Sequence, residues 1–425
     1  MRAMLTSILA LAITAFVIEV ARRFAPAIGL TDTPCDRKSH QGDIPLVGGI
    51  AIFTGLILVL AFSGAIADQW AYIFAAGLLV AVGVWDDAIG MSAALRLAIQ
   101  AGSVLLVAAV GGTYVADLGQ ILPIVGTLEL GWMAIPLTVF AGVGLINAFN
   151  MSDGVDGLCG TLTLVALTGL GIAAGIAGRE SVLVLILALG GGVIGFLIFN
   201  VRLPRRKQAV VFLGDAGSYL LGLSVLYLAI RLSQGSNRAI DPVTALWFCM
   251  VPLLDTIGMI LRRTRRGQSP LTPDREHIHH VFLLAKFSVT TTWIGLTLVA
   301  AAGVAFGLIG LANEIPESLM FATFLVVGVL YYGMITRVWK VLSFLKRSIN
   351  RRVLVKIDRR TSPDRRHNTD VYHVDGIPRE RRSGDDRRQG DGDRRNDEEL
   401  VAASLANVEK NHGVQSSSGG AAQST

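Results

Sequence analysis

An apolar run of the length that crosses a bilayer recurs eleven times in the first 340 residues of this 425-residue chain, and nothing else restricts its fold so strongly. A spanning helix needs about 20 largely apolar residues. The runs lie near 3–21, 47–66, 70–85, 94–111, 132–148, 158–177, 181–199, 213–232, 242–261, 290–311 and 317–340. They predict an all-α polytopic membrane protein of about eleven transmembrane helices. The first run reads as a span and not as a cleaved leader. Its basic pair, Arg22 and Arg23, follows the apolar stretch, and no small-residue cleavage site is evident.

Charge divides the chain in two. Of its 70 Asp, Glu, Lys and Arg residues, 30 fall in the last 80 positions. The body, 1–345, is therefore far poorer in charge than an ordinary soluble domain, in which about a quarter of the residues are charged. This excludes a soluble enzyme, a single-span receptor and a disulfide scaffold. Cys35, Cys159 and Cys249 are too scattered for a zinc site or a disulfide framework. The net charge of +6 is spread over body and tail, so neither part forms the strong cation that a nucleic-acid partner would require. The tail, 346–425, repeats Asp-Arg-Arg at 358–360, 364–366, 386–388 and 393–395 and ends without apolar periodicity. It is expected to be a cytosolic, disordered extension, the alternative being an arm that docks on anionic headgroups.

Basic residues set the orientation. The connections 22–46, 200–212 and 262–289 hold 14 Lys and Arg, whereas the alternate connections hold only Arg179 and Arg238. Positive charge stays on the cytosolic side. The N-terminus is thus expected outside, with the basic loops and tail in the cytosol.

The acidic residues sort to that same side. Asp86, Asp87, Asp153, Asp156 and Asp215 all sit where apolar helices meet the cytosolic face. A carboxylate at the centre of a spanning helix costs roughly 2.5–3.5 kcal/mol on insertion scales. Several of them gathered on one face point to a shared task, most simply holding a cation. In GVWDDAIG, adjacent Asp86 and Asp87 can share a proton or bind a metal, or can merely stop the helix. Arg96 begins the next span, either as an interfacial anchor or facing a phosphate. In NAFNMSDGVDGLCG, Asn147, Asn150, Asp153 and Asp156 recur at spacings of three, which on a helix lines their oxygens along one face. Oxygen-only donors suit a hard cation such as Mg²⁺; the alternative is a glycine-rich polar turn. In RLPRRKQAVVFLGDAGSYLLG, Asp215 enters an apolar span between Gly214 and Gly217, whereas the preceding Arg202, Arg205, Arg206 and Lys207 read mainly as orientation signals. In SPLTPDREHIHHVF, His277, His279 and His280 lack the i, i+4 spacing of zinc hydrolases and better suit, with Arg275, a phosphate-rich ligand. Asp255, inside the ninth run, is a secondary candidate or the partner of a neighbouring helix. P-loop and G-x-G-x-x-G fingerprints are absent, so nothing points to an ATP-driven pump or a nicotinamide enzyme.

These motifs, in this order, resemble the polyprenyl-phosphate N-acetylhexosamine-1-phosphate transferases, from DTPCDRKSHQGDIPLVGG at 32–49 to HIHH at 277–280. HIHHVF favours the branch that uses UDP-GlcNAc over the branch with three consecutive histidines. One departure stands out: the family's DDxxD motif ends here in Gly90. The resemblance implies helices around a cytosol-facing cleft. It also implies transfer of a sugar-1-phosphate, most simply GlcNAc-1-phosphate, from a UDP-sugar to undecaprenyl phosphate with release of UMP, starting a lipid-linked glycan such as an O-antigen. Another UDP-N-acetyl sugar would use the same machinery. By motif match, Asp215 is the principal Mg²⁺ ligand, helped by Asn150, with Mn²⁺ as the alternative ion. Asp86 and Asp87 handle the lipid phosphate, one of them as base. Asp153 and Asp156 hold the uridine end and Phe212 stacks on it. Arg96, Arg275, His277, His279 and His280 contact the diphosphate, and Lys38 and His40 lie at the rim. The setting implied is a bacterial inner membrane, with a homodimer as one possible assembly and the oligomeric state left open by the sequence. A secondary transporter, the other class with intramembrane carboxylates, would place them near the midplane of repeated halves; here they gather at one face and no repeat is evident.

Overall fold

The computed structural model describes residues 2–33, 42–202, 206, 208–269 and 277–358, with backbone alone at 2–3, 284 and 338–358. Arg2–Phe24 forms α1, and a two-stranded ribbon follows. In it, β1 (Thr31–Asp32) pairs antiparallel with β2 (Ile44–Pro45), Asp32 opposite Ile44. Then come α2 (Gly48–Ser63), α3 (Trp70–Ile89), α4 (Ala93–Leu105), α5 (Ala134–Ser152), α6 (Leu158–Ile176), α7 (Glu180–Asn200) and α8 (Gly214–Ser233). The remaining helices are α9 (Pro242–Phe248), α10 (Met250–Arg265), α11 (Ile278–Leu284), α12 (Val289–Ala312) and α13 (Glu317–Asp358).

Each apolar run becomes helix, with three adjustments. Among the described residues nine helices are long and apolar enough to cross a membrane, or ten if a bent pair counts as one. The run at 47–66 yields only the 16-residue α2, which stops at Ser63 because Gly64 turns left-handed at φ +73°; at its other end the free N–H groups of Gly48 and Gly49 bond the carbonyls of Phe212 and Leu213. The run at 70–85 is longer than expected: α3 carries on through Asp86 and Asp87 to Ile89. The run at 242–261 breaks at Cys249 into α9 and α10, which meet at 85°. Pro252 gives the reason, since it has no N–H for the Phe248 carbonyl and its ring excludes that carbonyl from a continuous helix. At the other end of the chain α13 runs to Asp358, past the expected boundary at 345, and one compact unit spans Met1–Ile357. The tail expected to be disordered lies, from 359 on, outside the described residues.

Helix α8 is the axis of the bundle. Its spanning window is 89% buried, against 17% for the peripheral α13. Burial inside the bundle brings no hydrophobic gain over lipid, so close approach must come from small residues. The sequence supplies them. A Cβ on Gly49 of α2 would strike the backbone of Ala216 and Gly217, and one on Gly83 of α3 would strike that of Asp215 and Ala216. Both helices therefore press backbone to backbone on the first turn of α8, next to its acidic residue.

The connections alternate between the two ends of the bundle. At the far end, Arg238 binds Asp241 and Glu317 at 3.1 Å each and Asp117 at 3.7 Å, and Gln234 accepts from the backbone of Ala116 and Asp117. The other end carries the acidic motifs.

Candidate active site

The polar ends of α3, α4, α5, α7 and α8, with the β1–β2 ribbon and α11, enclose a cavity of about 910 Å³. Asp86, Asp87, Arg96, Asn150, Asp153, Asp156, Phe212, Asp215 and His280 line it. Motifs up to 194 positions apart in sequence thus meet at one place.

Neighbouring aspartates point to different partners. Asp86 is buried, holds the Arg96 guanidinium at 2.7 and 3.1 Å, and accepts from the Tyr219 hydroxyl at 3.2 Å. Asp87 faces α8 instead. Its Oδ1 accepts from the Asp215 backbone N–H at 3.1 Å, an unsatisfied donor at a helix N-terminus. Its Oδ2 is buried with no hydrogen-bond partner. Gly214 has φ +72°, which favours glycine there, and a Cβ at that position would displace the same Asp87 oxygen, 2.5 Å away.

Asp215 enters α8 through this glycine, and its Oδ1 accepts from Asn150 Nδ2 at 2.6 Å. The same amide donates to Ser218 at 2.9 Å, which turns the Asn150 oxygen away from both. The expected row of four oxygens on one helical face is corrected here. Helix α5 stops at Ser152, leaving Asp153 and Asp156 in the turn that ends at Gly157, φ +83°. Asn147 bonds Gln100 at 2.6 Å and joins α5 to α4. Burial raises the Asp153 carboxyl well above its ordinary range, and the carboxylates of Asp215, Asp87 and Asp156 raise it further. Asp156 accepts from Arg202 Nε at 2.7 Å and from the Ala209 N–H at 3.2 Å.

Four polar residues of the cavity wall, Asp32, Asn200, Arg202 and Gln208, were not among the expected site residues. Arg202 was assigned to membrane orientation, yet it lines the cavity through its pair with Asp156. Asn200 ends α7 in an apolar context; its oxygen accepts from Gly157 at 2.6 Å and its amide donates to the Val211 carbonyl at 2.9 Å. It ties the acidic turn to the strand-like segment that leads to Phe212. A buried amide closing an apolar run was the available signal.

The histidines separate. Only His280 lines the cavity. His277 is buried and bonded to Asp255 at 3.0 Å, while His279 is buried with its Nε2 unpartnered against Gly154. Burial, then the neighbouring His280, lowers His279 to about 3, so it is a neutral imidazole. Lys38, His40 and Arg275 lie outside the described residues. Gly90 closes α3 at φ +76° and ψ +147°, a conformation essentially reserved for glycine, with nothing within 4 Å of a Cβ built there. Position 90 is also absent from the cavity wall.

The donor set suits a hard cation: hard oxygens, no thiolate, and one buried carboxylate oxygen without a partner. Among the described residues no three His, Cys, Asp or Glu side chains form a complete cage. Mg²⁺ characteristically takes one or two carboxylates and completes its shell with water and substrate phosphate.

Residues 69–233 match the family described as Glycosyl transferase family 4. The chain is similar to undecaprenyl-phosphate alpha-N-acetylglucosaminyl 1-phosphate transferases. That of Escherichia coli (strain K12) is 37% identical over 342 residues, 79% of this chain and 91% of the relative. That of Yersinia pestis is 40% identical over 332 residues, 77% and 90% of the two chains, and that of Haemophilus influenzae 36% over 330 residues, 77% and 92%.

Proposed function

The chain belongs to the undecaprenyl-phosphate N-acetylglucosaminyl 1-phosphate transferases of glycosyl transferase family 4, and we propose from that premise how its cavity carries the reaction. The protein is a phosphotransferase of the membrane that moves GlcNAc-1-phosphate onto undecaprenyl phosphate. The donor we propose is UDP-GlcNAc. An oxygen of the lipid phosphate attacks the phosphorus attached to the sugar, the bond to the uridine-bearing phosphate breaks, and UMP leaves.

The difficulty is that one anion attacks another. Positive charge must sit along the line of displacement, and catalysis is mainly positioning and charge stabilisation. Arg96, held by Asp86, supplies a fixed cation in the cavity wall. Asp87 is the better base of the pair because Asp86 is occupied by Arg96 and Tyr219, whereas Asp87 keeps one oxygen unpartnered. That asymmetry is the observation which carries the assignment. Asp215 would hold Mg²⁺, or Mn²⁺, whose charge would offset that of the diphosphate, and Asn150 would help by fixing the Asp215 carboxylate through its amide. Asp153, Asp156 and Phe212, which also line the cavity, suit the uridine end; His280 and Arg96 suit the diphosphate. His277 and His279 support the wall from behind. The positive-inside pattern supports a cytosolic cavity and an external N-terminus in a bacterial inner membrane. The product would begin a lipid-linked glycan such as an O-antigen.

Purified protein with undecaprenyl phosphate, a panel of UDP-N-acetyl sugars and Mg²⁺ tests this, with UMP release as the readout. UMP from UDP-GlcNAc, abolished by EDTA and restored by Mg²⁺, is expected. UMP from another sugar alone would replace the donor, and release that resists EDTA would remove the metal.

A further inference from the structure

Asp255 lies on α10, outside the cavity wall, and is nearly fully buried at 3% exposure. A carboxylate in such a place needs several donors, and it has three. Its Oδ2 meets His277 Nδ1 at 3.0 Å; its Oδ1 accepts from the Ile278 backbone N–H at 3.0 Å and from the Tyr331 hydroxyl of α13 at 2.6 Å. The Ile278 N–H opens α11, whose first residues have no side-chain cap of their own. Asp255 therefore does from a different helix what an N-capping residue does locally, placing negative charge on the positive end of α11.

Room for this contact is built into α10. A Cβ on Gly258 would sit 3.1 Å from the Tyr331 ring, so the glycine one turn beyond Asp255 lets the phenol reach the carboxylate. On its other side α11 is fixed by a second glycine, because a side chain at Gly154 would run into the His279 ring. His277, His279 and His280 then stand close together, with ring centroids 5.8 Å apart for the first and second and 4.2 Å apart for the second and third. His280, at the end of this series, is the one that enters the cavity wall.

We infer that Asp255 and Tyr331 are positioning residues: together they hold α11 so that His280 projects into the cavity, and they act on the reaction only through that placement. This rests on the transferase reading for its kinetic arm.

The test is a double-mutant cycle on the full-length protein. A hydrogen bond to a charged group contributes about 1.5–3 kcal/mol, so Asp255→Asn is expected to lower kcat/KM for UDP-GlcNAc by about tenfold to a hundredfold. Tyr331→Phe should produce a smaller loss of the same kind. In a His280→Ala background both losses should shrink to within about twofold, since residues acting through one partner are not additive. Equal losses in both backgrounds would overturn the proposal, and if Asp255→Asn does not fold, the Tyr331→Phe cycle decides alone. A second readout needs no turnover: with Cys35 replaced by Ser, the rate at which a small maleimide labels His280→Cys should change severalfold when Tyr331→Phe is added. An unchanged rate would also overturn the proposal, whatever the donor sugar proves to be.

Discussion

Asp86 and Asp87 are adjacent in the chain, yet a helix rotates successive side chains about 100° apart. That rotation sends one to Arg96 and the other to the start of α8. Asp215 shows how narrow the tolerances become, because its carboxylate, the Asn150 amide and the Asp87 oxygen all meet within one turn of α8. Asp215→Asn keeps the shape and removes the charge. It should cut turnover at least about a hundredfold, the scale seen when one charge-stabilising group is removed from an active site, while the thermal midpoint stays close to that of the wild type. Turnover near the wild-type level would remove Asp215 from the reaction. At this scale the sequence was a good guide to which carboxylates line the cavity, since an acidic residue in an apolar helix is costly and conspicuous. It was a poor guide to Arg202 and Asn200, whose roles come from partners 46 and 43 positions away.

Helices bring these residues together only as closely as their backbones can approach. Gly83 and Gly49 set that approach for α3 and α2 against α8. Gly83→Val would place methyl groups where the Asp215 and Ala216 backbone lies and should force α3 outward. Overpacking of this kind costs about 1–3 kcal/mol. The expected result is a lowered thermal midpoint together with a large loss of turnover, because the same movement separates Asp87 from Asp215. Loss of stability with full turnover would show that the site does not depend on this contact. The helices themselves were legible from apolar run length. Their ends were less so: α3 absorbed two aspartates, α5 stopped before two others, and Pro252 bent a run that composition presents as continuous.

Across the whole molecule, alternation of the connections places the acidic motifs at one end and the Arg238 cluster at the other. The orientation we propose makes the Arg238 end external. With Cys35 replaced by Ser, an impermeant maleimide applied to intact cells should label Ser236→Cys and leave Gln268→Cys unlabelled until the membrane is opened. The reverse pattern would invert the topology and place the cavity outside.

Run length determined the helical membrane architecture, and the apolar setting of the acidic motifs marked carboxylates that gather in one cavity, because a bilayer leaves a chain few ways to satisfy its backbone and few reasons to hold a carboxylate. Whether each polar residue serves the cavity or the scaffold was decided by the tertiary structure alone. His277 and His280 are three positions apart, and neither composition nor periodicity separates them. Asp255 and Tyr331, arriving from two other helices, hold the first out of the cavity wall and leave the second in it.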